Sequence, residues 1–204
     1  MKETYTGLKG IFKIQTHDSK GNLLDEYEEK NLIVDSARPN LAKLIGGFST
    51  GTPINKFIIG TRGHVDNGGT YDILIPKTIV NGLDETRTEL FSEEEAMYSY
   101  SINFQGTGSS NGNRNVISET DIAVDANTLS TVSVTNDTRN LIYTIIIPST
   151  VANNLSGQGG TTAGIAAFTE AGFYSGSTLF NIKTFPAKIK ELGTTITITW
   201  TLEF

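Results

Sequence analysis

Residues that could carry out chemistry are few and widely spaced in this sequence. The two histidines, His17 and His64, fall in a predicted hairpin turn and in a glycine-rich loop. A Ser-His-Asp triad needs a histidine that a carboxylate orients beside a nucleophile, and no serine sits in a strand-to-helix nucleophile elbow. The Gly-x-Ser-x-Gly spacings at residues 47–51 and 108–112 lie after the predicted helix and in a predicted loop. We therefore interpret both histidines as exposed loop residues, and we predict no catalytic residues.

The sequence also predicts no metal site and no cofactor. It contains no cysteine, which excludes thiolate zinc sites and disulfides. The acidic run Glu93–Glu95 lacks the spacing of a calcium-binding loop, so we interpret it as a solvated turn. Neither glycine-rich loop has the Gly-x4-Gly-Lys-Ser/Thr pattern that binds phosphates.

Glu170 is the acid that stands out, because it is followed by Ala-Gly and then by an aromatic pair. A buried carboxylate needs a partner, and Arg38, Arg62 and Lys183 are the candidates. We predict a structural ion pair here rather than a catalytic acid.

Aromatic side chains suggest carbohydrate binding as a different function, since exposed rings can stack on sugars. Most of them alternate with polar residues, which favours core or interface positions. Binding of a carbohydrate or host-surface molecule is therefore an alternative. The aromatic residues concerned are Tyr71, Tyr98, Tyr100, Phe173, Tyr174 and Trp200.

Composition indicates a β-rich chain. Of its 204 residues, 37% are apolar and 19% are charged, and the net charge is −6. An acidic chain lacks the basic face that phosphate contacts require, so we expect no nucleic-acid partner. No signal peptide or membrane-spanning apolar run is visible, so we expect synthesis in the cytoplasm and no membrane association.

The N-terminal part predicts a hairpin over residues 8–34, followed by a helix near residues 36–46. Asp35 or Ser36 can cap this helix. One helical face carries Leu41, Leu44 and Ile45, which we expect to pack.

Ten or so strands then follow without comparable helices, with flexible loops expected near residues 60–70, 105–115 and 153–163. We predict an all-β, mainly antiparallel fold, as a β-sandwich, a jelly-roll-like arrangement or a barrel, in one domain over residues 1–204. In it, the hairpin and helix of residues 8–47 pack on the sheets.

The C-terminal region is the most regular part of the sequence. A hairpin is predicted to turn at Ser175-Gly176, and a last strand follows over residues 194–204. Period-two alternation places five large side chains on one face of that strand, which we expect to be buried. They are Ile196, Ile198, Trp200, Leu202 and Phe204.

Four segments carry a family resemblance when taken in order. They are "EKNLIVDSARPNLAKLIGG" (29–47), "INKFIIGTRG" (54–63), "TRTELF" (86–91) and "TEAGFYSGSTLFNIKTFPAKIKELGTTITITW" (169–200). Together they resemble the small β-sandwich proteins of tailed-bacteriophage tails, collars, baseplates and head fibres, including the tail-collar fibre type. Residues 105–160 have no counterpart in this resemblance.

The resemblance implies a non-enzymatic structural subunit of a phage virion, in a tail, collar or fibre-attachment role, or alternatively in head decoration. It implies partners among other virion proteins and copies of the same chain, as a ring or trimer, and a location in the virion. It places Glu170 at the acid of the collar-type motif. The structural or interface candidates are Glu170, Phe173, Tyr174, Trp200 and Phe204.

Overall fold

The computed structural model describes residues 8–65, 75–95, 99–105, 112–119, 130–137, 139–152 and 167–204. Its helical elements are α1 (Ala37–Ile45), a 3-10 turn (Ile79–Asn81) and α2 (Phe91–Glu94). Its strands are β1 (Lys9–His17), β2 (Leu23–Ile33), β3 (Lys56–Gly60), β4 (Ser99–Gln105), β5 (Gly112–Glu119), β6 (Thr131–Asn136), β7 (Asn140–Ile147), β8 (Ala167–Ser175), β9 (Thr178–Ile189) and β10 (Thr195–Glu203).

The ten strands form one closed cycle in the order β1-β10-β7-β6-β5-β4-β3-β8-β9-β2. Each neighbouring pair is antiparallel, which confirms the all-β, mainly antiparallel fold with a short helix near residues 36–46. The predicted N-terminal hairpin is built into this cycle, because β1 pairs with β10 from Lys9↔Glu203 to His17↔Thr195. Among the described residues, no helix is long and apolar enough to cross a membrane.

The last strand fills the interior of the cycle, as its alternation predicts, with one exception. Ile196, Ile198 and Trp200 are fully buried and Leu202 nearly so, but Phe204 is 61% exposed. The prediction was wrong for Phe204 because β10 ends at the residue before it. The Phe204 amide bonds to the Arg139 carbonyl at 2.9 Å, while the ring projects beyond the sheet.

The cycle is closed least tightly between β2 and β9, which pair only at Leu32↔Ile182 and Ile33↔Asn181. Beyond those pairs, side chains bridge the two strands. The Lys183 Nζ atom lies 2.7 Å from Glu29 Oε2, and Lys188 pairs with Asp25. Ion pairs therefore continue the closure where the hydrogen-bond ladder stops.

Helix α1 begins and packs differently from its sequence prediction. Ser36 does not cap it by a side-chain hydrogen bond; its hydroxyl donates instead to the Leu179 carbonyl at 2.9 Å. The predicted packing face is buried only in part, because Leu41 is half-buried while Leu44 and Ile45 are exposed; Ala37 is the buried residue of the helix. Hydrogen bonds from Ser36 and Asn40 hold the helix to β8 and β9.

Several loop predictions are changed as well. His17 is the last residue of β1, and His64 is buried and forms an isolated bridge with Pro76, so neither lies in an exposed loop as predicted. Strand β5 begins inside the predicted loop over 105–115. The predicted loop over 153–163 and residues 66–70 of the first loop lie outside the described residues.

A second apolar cluster lies apart from the main core. Its members come from β3, β8, β9, the residue after β2 and the segment over residues 75–95, and it covers the face of β8 that carries Tyr174. This cluster positions the candidate site. Its buried residues are Val34, Ile58, Leu83, Leu90, Phe91, Tyr174, Leu179 and Ile182.

Candidate functional site

Glu170 is the most unusual polar residue of the described chain, because it is completely buried on β8. Its Oε2 atom accepts the Phe91 amide at 2.9 Å, and its Oε1 atom accepts the Ser92 amide at 2.7 Å. The Ser92 hydroxyl also donates to Oε1, at 2.5 Å. The carboxylate thus satisfies the first free amides of α2, which lack intrahelical partners.

Ser92 connects this carboxylate to the end of β3. Its Oγ atom accepts the amides of Thr61 at 2.8 Å and Arg62 at 3.0 Å. Gly60 must be a glycine here, since a Cβ atom would lie 2.8 Å from Glu170 Oε1. The chain after β3 can therefore pass close to the buried acid only without a side chain.

Tyr174 makes a second connection from the same face of β8. Its hydroxyl donates to the Glu93 carboxylate and accepts the Leu90 amide at 3.0 Å. Gly172 lies between the two anchoring residues, and a Cβ atom there would lie 3.0 Å from Leu90 Cδ2. Alternate residues of one strand thus hold the whole turn over residues 90–93; we call Glu170, Ser92, Tyr174 and Glu93 the Glu170 cluster.

Charged side chains surround the ring of Phe91 above this cluster. The Lys77 Nζ atom lies 3.7 Å and the Arg87 Cζ atom 3.5 Å from the ring centroid. Each cation also has an acid: Arg87 bonds Glu94 at 2.8 Å, and Lys77 lies 3.7 Å from Glu95. Cations over an aromatic face are attracted to it, so these contacts fasten α2 from outside.

Burial shifts the pKa values of Glu170, Tyr174 and the neighbouring Lys77. It raises the pKa of Glu170, while the bonds from Ser92 and Phe91 act in the opposite direction. Burial also raises the pKa of Tyr174, and it lowers the pKa of Lys77. All three effects disfavour a charge in a poorly solvated place.

The polar groups of the cluster bond to the chain itself. The Ser92 hydroxyl is completely buried, and its proton is directed at Glu170. A nucleophile has to reach a reacting atom, and this one is enclosed by the chain. Within the described ranges, no group of three or more His, Asp or Glu residues could hold a metal ion.

The predicted partners of Glu170 were wrong. Arg62 bonds Glu95 at 2.5 Å, Lys183 bonds Glu29, and Arg38 lies near Asp35 and Glu85. Backbone amides of α2 take the place of a cation, because a helix start supplies donors without a second buried charge. The acidic run that follows Phe91-Ser92 is a signal for a helix start, and it could have indicated this arrangement.

The other candidate residues separate into core and surface. Phe173 and Trp200 are fully buried with ring centroids 5.0 Å apart, and Tyr100 is also buried, whereas Phe204 is exposed. Tyr71 and Tyr98 lie outside the described residues. The described aromatic residues that sequence offered for stacking on sugars are therefore enclosed in the fold.

The four segments of the sequence resemblance meet around β8 and β9. The Val34 amide bonds to the Phe180 carbonyl at 3.2 Å, and Asn40 Nδ2 bonds to Ser175 Oγ at 2.8 Å. Segments 54–63 and 86–91 join the same strands through the Glu170 cluster. No protein-family model, curated protein or solved structure matches the chain.

Proposed function

We propose that this chain is a non-enzymatic structural subunit of a bacteriophage virion, in a tail, collar or fibre-attachment position. One observation carries the proposal. The four segments that resemble phage virion proteins are far apart in sequence, yet they pack together around β8 and β9. Residues that contact one another limit which side chains each position can hold. Four resembling segments that contact one another therefore support the proposal better than four that lie on separate surfaces would.

The chemistry of the site is in keeping with a structural role. Its buried acid, hydroxyl and phenol each bond to backbone or to one another. Such fully satisfied polar networks fix one arrangement of a fold. A subunit that repeats in a particle needs a rigid body of this kind.

Head decoration is the alternative position in the virion. A carbohydrate-binding role has less support, because Tyr100, Phe173, Tyr174 and Trp200 are buried and offer no stacking platform. Glycan binding would then have to use other residues.

The test follows an epitope-tagged chain into phage particles. Particles induced from the strain that carries the gene are purified by density gradient, and the tag is sought by mass spectrometry and by gold-labelled antibody. We expect a fixed number of copies per particle, located at the tail or collar. Label on the head would support the alternative, and absence from purified particles would contradict both positions.

A further inference from the structure

Strands β2 and β9 stop pairing before either strand ends. Their ladder includes Leu32↔Ile182, and the Val34 amide extends it to the Phe180 carbonyl at 3.2 Å. Main-chain groups of a strand alternate between its two neighbours, so the N–H and C=O groups of Lys30 face β9, as those of Leu32 and Val34 do. Both strands are described in full, and no backbone hydrogen bond joins them before Leu32. The edge of β2 around Lys30 is therefore free.

A proline in β9 accounts for the early end of the ladder. Pro186 lies within β9 and has no N–H to donate. Proline occurs in sheets mainly at edges, where no partner strand needs that donor. Side chains cross the gap instead, with Lys183 Nζ 2.7 Å from Glu29 Oε2. Because Glu29 lies on the face of β2 opposite to Lys30, this ion pair covers the gap from one face only.

A groove lies along this gap, on the side of Leu32 and Leu83. Its volume is about 500 Å³, within the range of ligand-binding clefts. Ile75 is 50% and Ile79 77% exposed, so its walls present apolar side chains to solvent. We call it the seam groove, and the apolar residues that line it are Leu32, Ile75, Pro76, Ile79, Leu83 and Pro186.

The free strand edge and the apolar walls together indicate what the seam groove binds. A small apolar molecule would use the walls and leave the main-chain groups of Lys30 without partners. An extended peptide uses both, because its backbone continues the ladder and its alternate side chains enter the groove. Strand edges left free in this way are templates for another chain. The occupant is therefore an extended segment with apolar residues at alternate positions.

The charges of the seam groove favour an acidic residue in that segment. Lys30 lines the groove and forms no ion pair with the described residues. The other lysines of the lining are engaged already, Lys183 with Glu29 and Lys77 over the ring of Phe91. A carboxylate on the bound segment can thus pair with Lys30 without displacing another acid.

We propose that an extended segment of a partner protein adds to the free edge of β2 at Lys30. Its apolar residues lie in the seam groove, and an acidic residue lies beside the Lys30 ammonium group. The proposal goes beyond the proposed function and does not depend on it, because it needs only the free edge and the groove.

The experiment uses a synthetic probe, the acetylated and amidated hexapeptide Val-Glu-Val-Thr-Val-Glu, which spans roughly 20 Å when extended. Its affinity for the full chain is measured by fluorescence polarisation of a labelled copy. A second probe has the same side chains and a methyl group on every backbone nitrogen. This second probe cannot donate ladder hydrogen bonds, so it should bind at least about 10-fold more weakly.

Two pairs of variants locate the binding. Lys30→Pro removes the free N–H and should weaken binding by about 10-fold, whereas Lys30→Gln keeps that N–H and should stay within about 3-fold of the native chain. Ile79→Ser should also weaken binding by about 10-fold, because it removes an apolar wall. Its matched control is Val80→Ser, since Val80 is 96% exposed and does not line the groove. Thermal melts check that each variant is folded.

Amide hydrogen exchange tests the free edge in the native chain itself. The Lys30 amide should exchange much faster than the Asn31 amide, since Asn31 pairs with Gly10 of β1. Saturating probe should slow exchange at Lys30 by at least about 10-fold, because its amide then enters a ladder.

Three results would overturn the proposal. One is a probe that does not bind at millimolar concentration. Another is equal binding of the two probes, which would show that the groove holds apolar ligands by side chains alone. The third is binding that neither Lys30→Pro nor Ile79→Ser weakens, which would place the probe elsewhere on the chain. The search for the tagged chain in phage particles is a separate test, so either proposal can fail without the other.

Discussion

Glu170 and Ser92 lie 78 positions apart in the chain, and their side chains share a buried hydrogen bond of 2.5 Å. The same carboxylate accepts the first two amides of α2, and the same hydroxyl accepts two amides after β3. A buried acid is thus used to fasten the segment over residues 75–95 to the strands that it covers. This relationship leads to the first prediction.

Glu170→Ala should destabilise the fold by about 3 kcal/mol, because three buried donors lose their acceptor at once. Glu170→Gln should cost less, since one oxygen remains to accept, although its NH₂ group faces donors. Urea unfolding at neutral pH measures both values. Glu28→Gln is the control, because Glu28 is exposed and should change stability by less than about 0.5 kcal/mol. If Glu170→Ala were as stable as that control, Glu170 would not anchor α2.

Gly63→Ala should destabilise the fold by roughly 2–3 kcal/mol, because backbone and side-chain atoms must move to admit a methyl group. The new Cβ atom would lie 2.5 Å from Glu170 Cβ, and the Thr169 backbone is closer still. Thermal unfolding checks this cost against Gly193→Ala. Gly193 has a φ of 90°, and a Cβ atom there would meet only Ser19 Cβ, at an ordinary contact distance of 3.8 Å, so that variant should lose only about 1 kcal/mol through backbone strain. Equal losses in the two variants would show that crowding at Gly63 is unimportant.

Deleting residues 200–204 should abolish folding, because Trp200 and Leu202 leave the core and β10 loses its pairing with β1 and β7. Trp200→Ala alone should cost about 3–5 kcal/mol. Phe204→Ala should have a small effect, since its ring is mostly exposed. Circular dichroism with a thermal melt distinguishes the three. A truncated chain with the melting curve of the native protein would refute the prediction.

The Glu29–Lys183 pair should contribute to stability in a pH-dependent way. The hydrogen bond from Lys183 lowers the pKa of Glu29 below its ordinary value of 4.5. A depressed pKa in the folded state means that the contribution is present above about pH 4.5 and is lost as pH falls through the folded pKa. Its size should stay below about 1 kcal/mol, because Glu29 is largely exposed and solvent screens the pair.

A double-mutant cycle with Glu29→Gln and Lys183→Gln measures this coupling directly. Unfolding free energies of the four proteins are compared at neutral pH and well below pH 4.5. We expect a favourable coupling energy at neutral pH and none in acid. The same coupling energy at both values would show that the two side chains do not interact through the Glu29 charge.

Sequence alone predicted the strands well where a pattern repeats over many residues. The alternation of Ile196, Ile198, Trp200 and Leu202 predicted a buried face, because successive side chains of a strand point to opposite sides. The turn of the predicted hairpin over residues 8–34 is local as well, since the Asp18 carboxylate accepts the Lys20 and Asn22 amides within the turn itself. Both features depend on residues that are close together in the sequence, so the sequence alone predicts them.

The contacts of Glu170, Leu44 and Ile45 were decided by the tertiary structure alone. Glu170 was predicted to pair with a cation, but the amides of α2 lie closer once β8 and the segment over 75–95 come together. Leu44 and Ile45 were predicted to pack but are exposed, and α1 is attached at Ser36, Ala37 and Asn40 instead. Sequence determined which residues alternate and turn; contacts between distant segments decided which buried groups are satisfied and which apolar faces remain exposed.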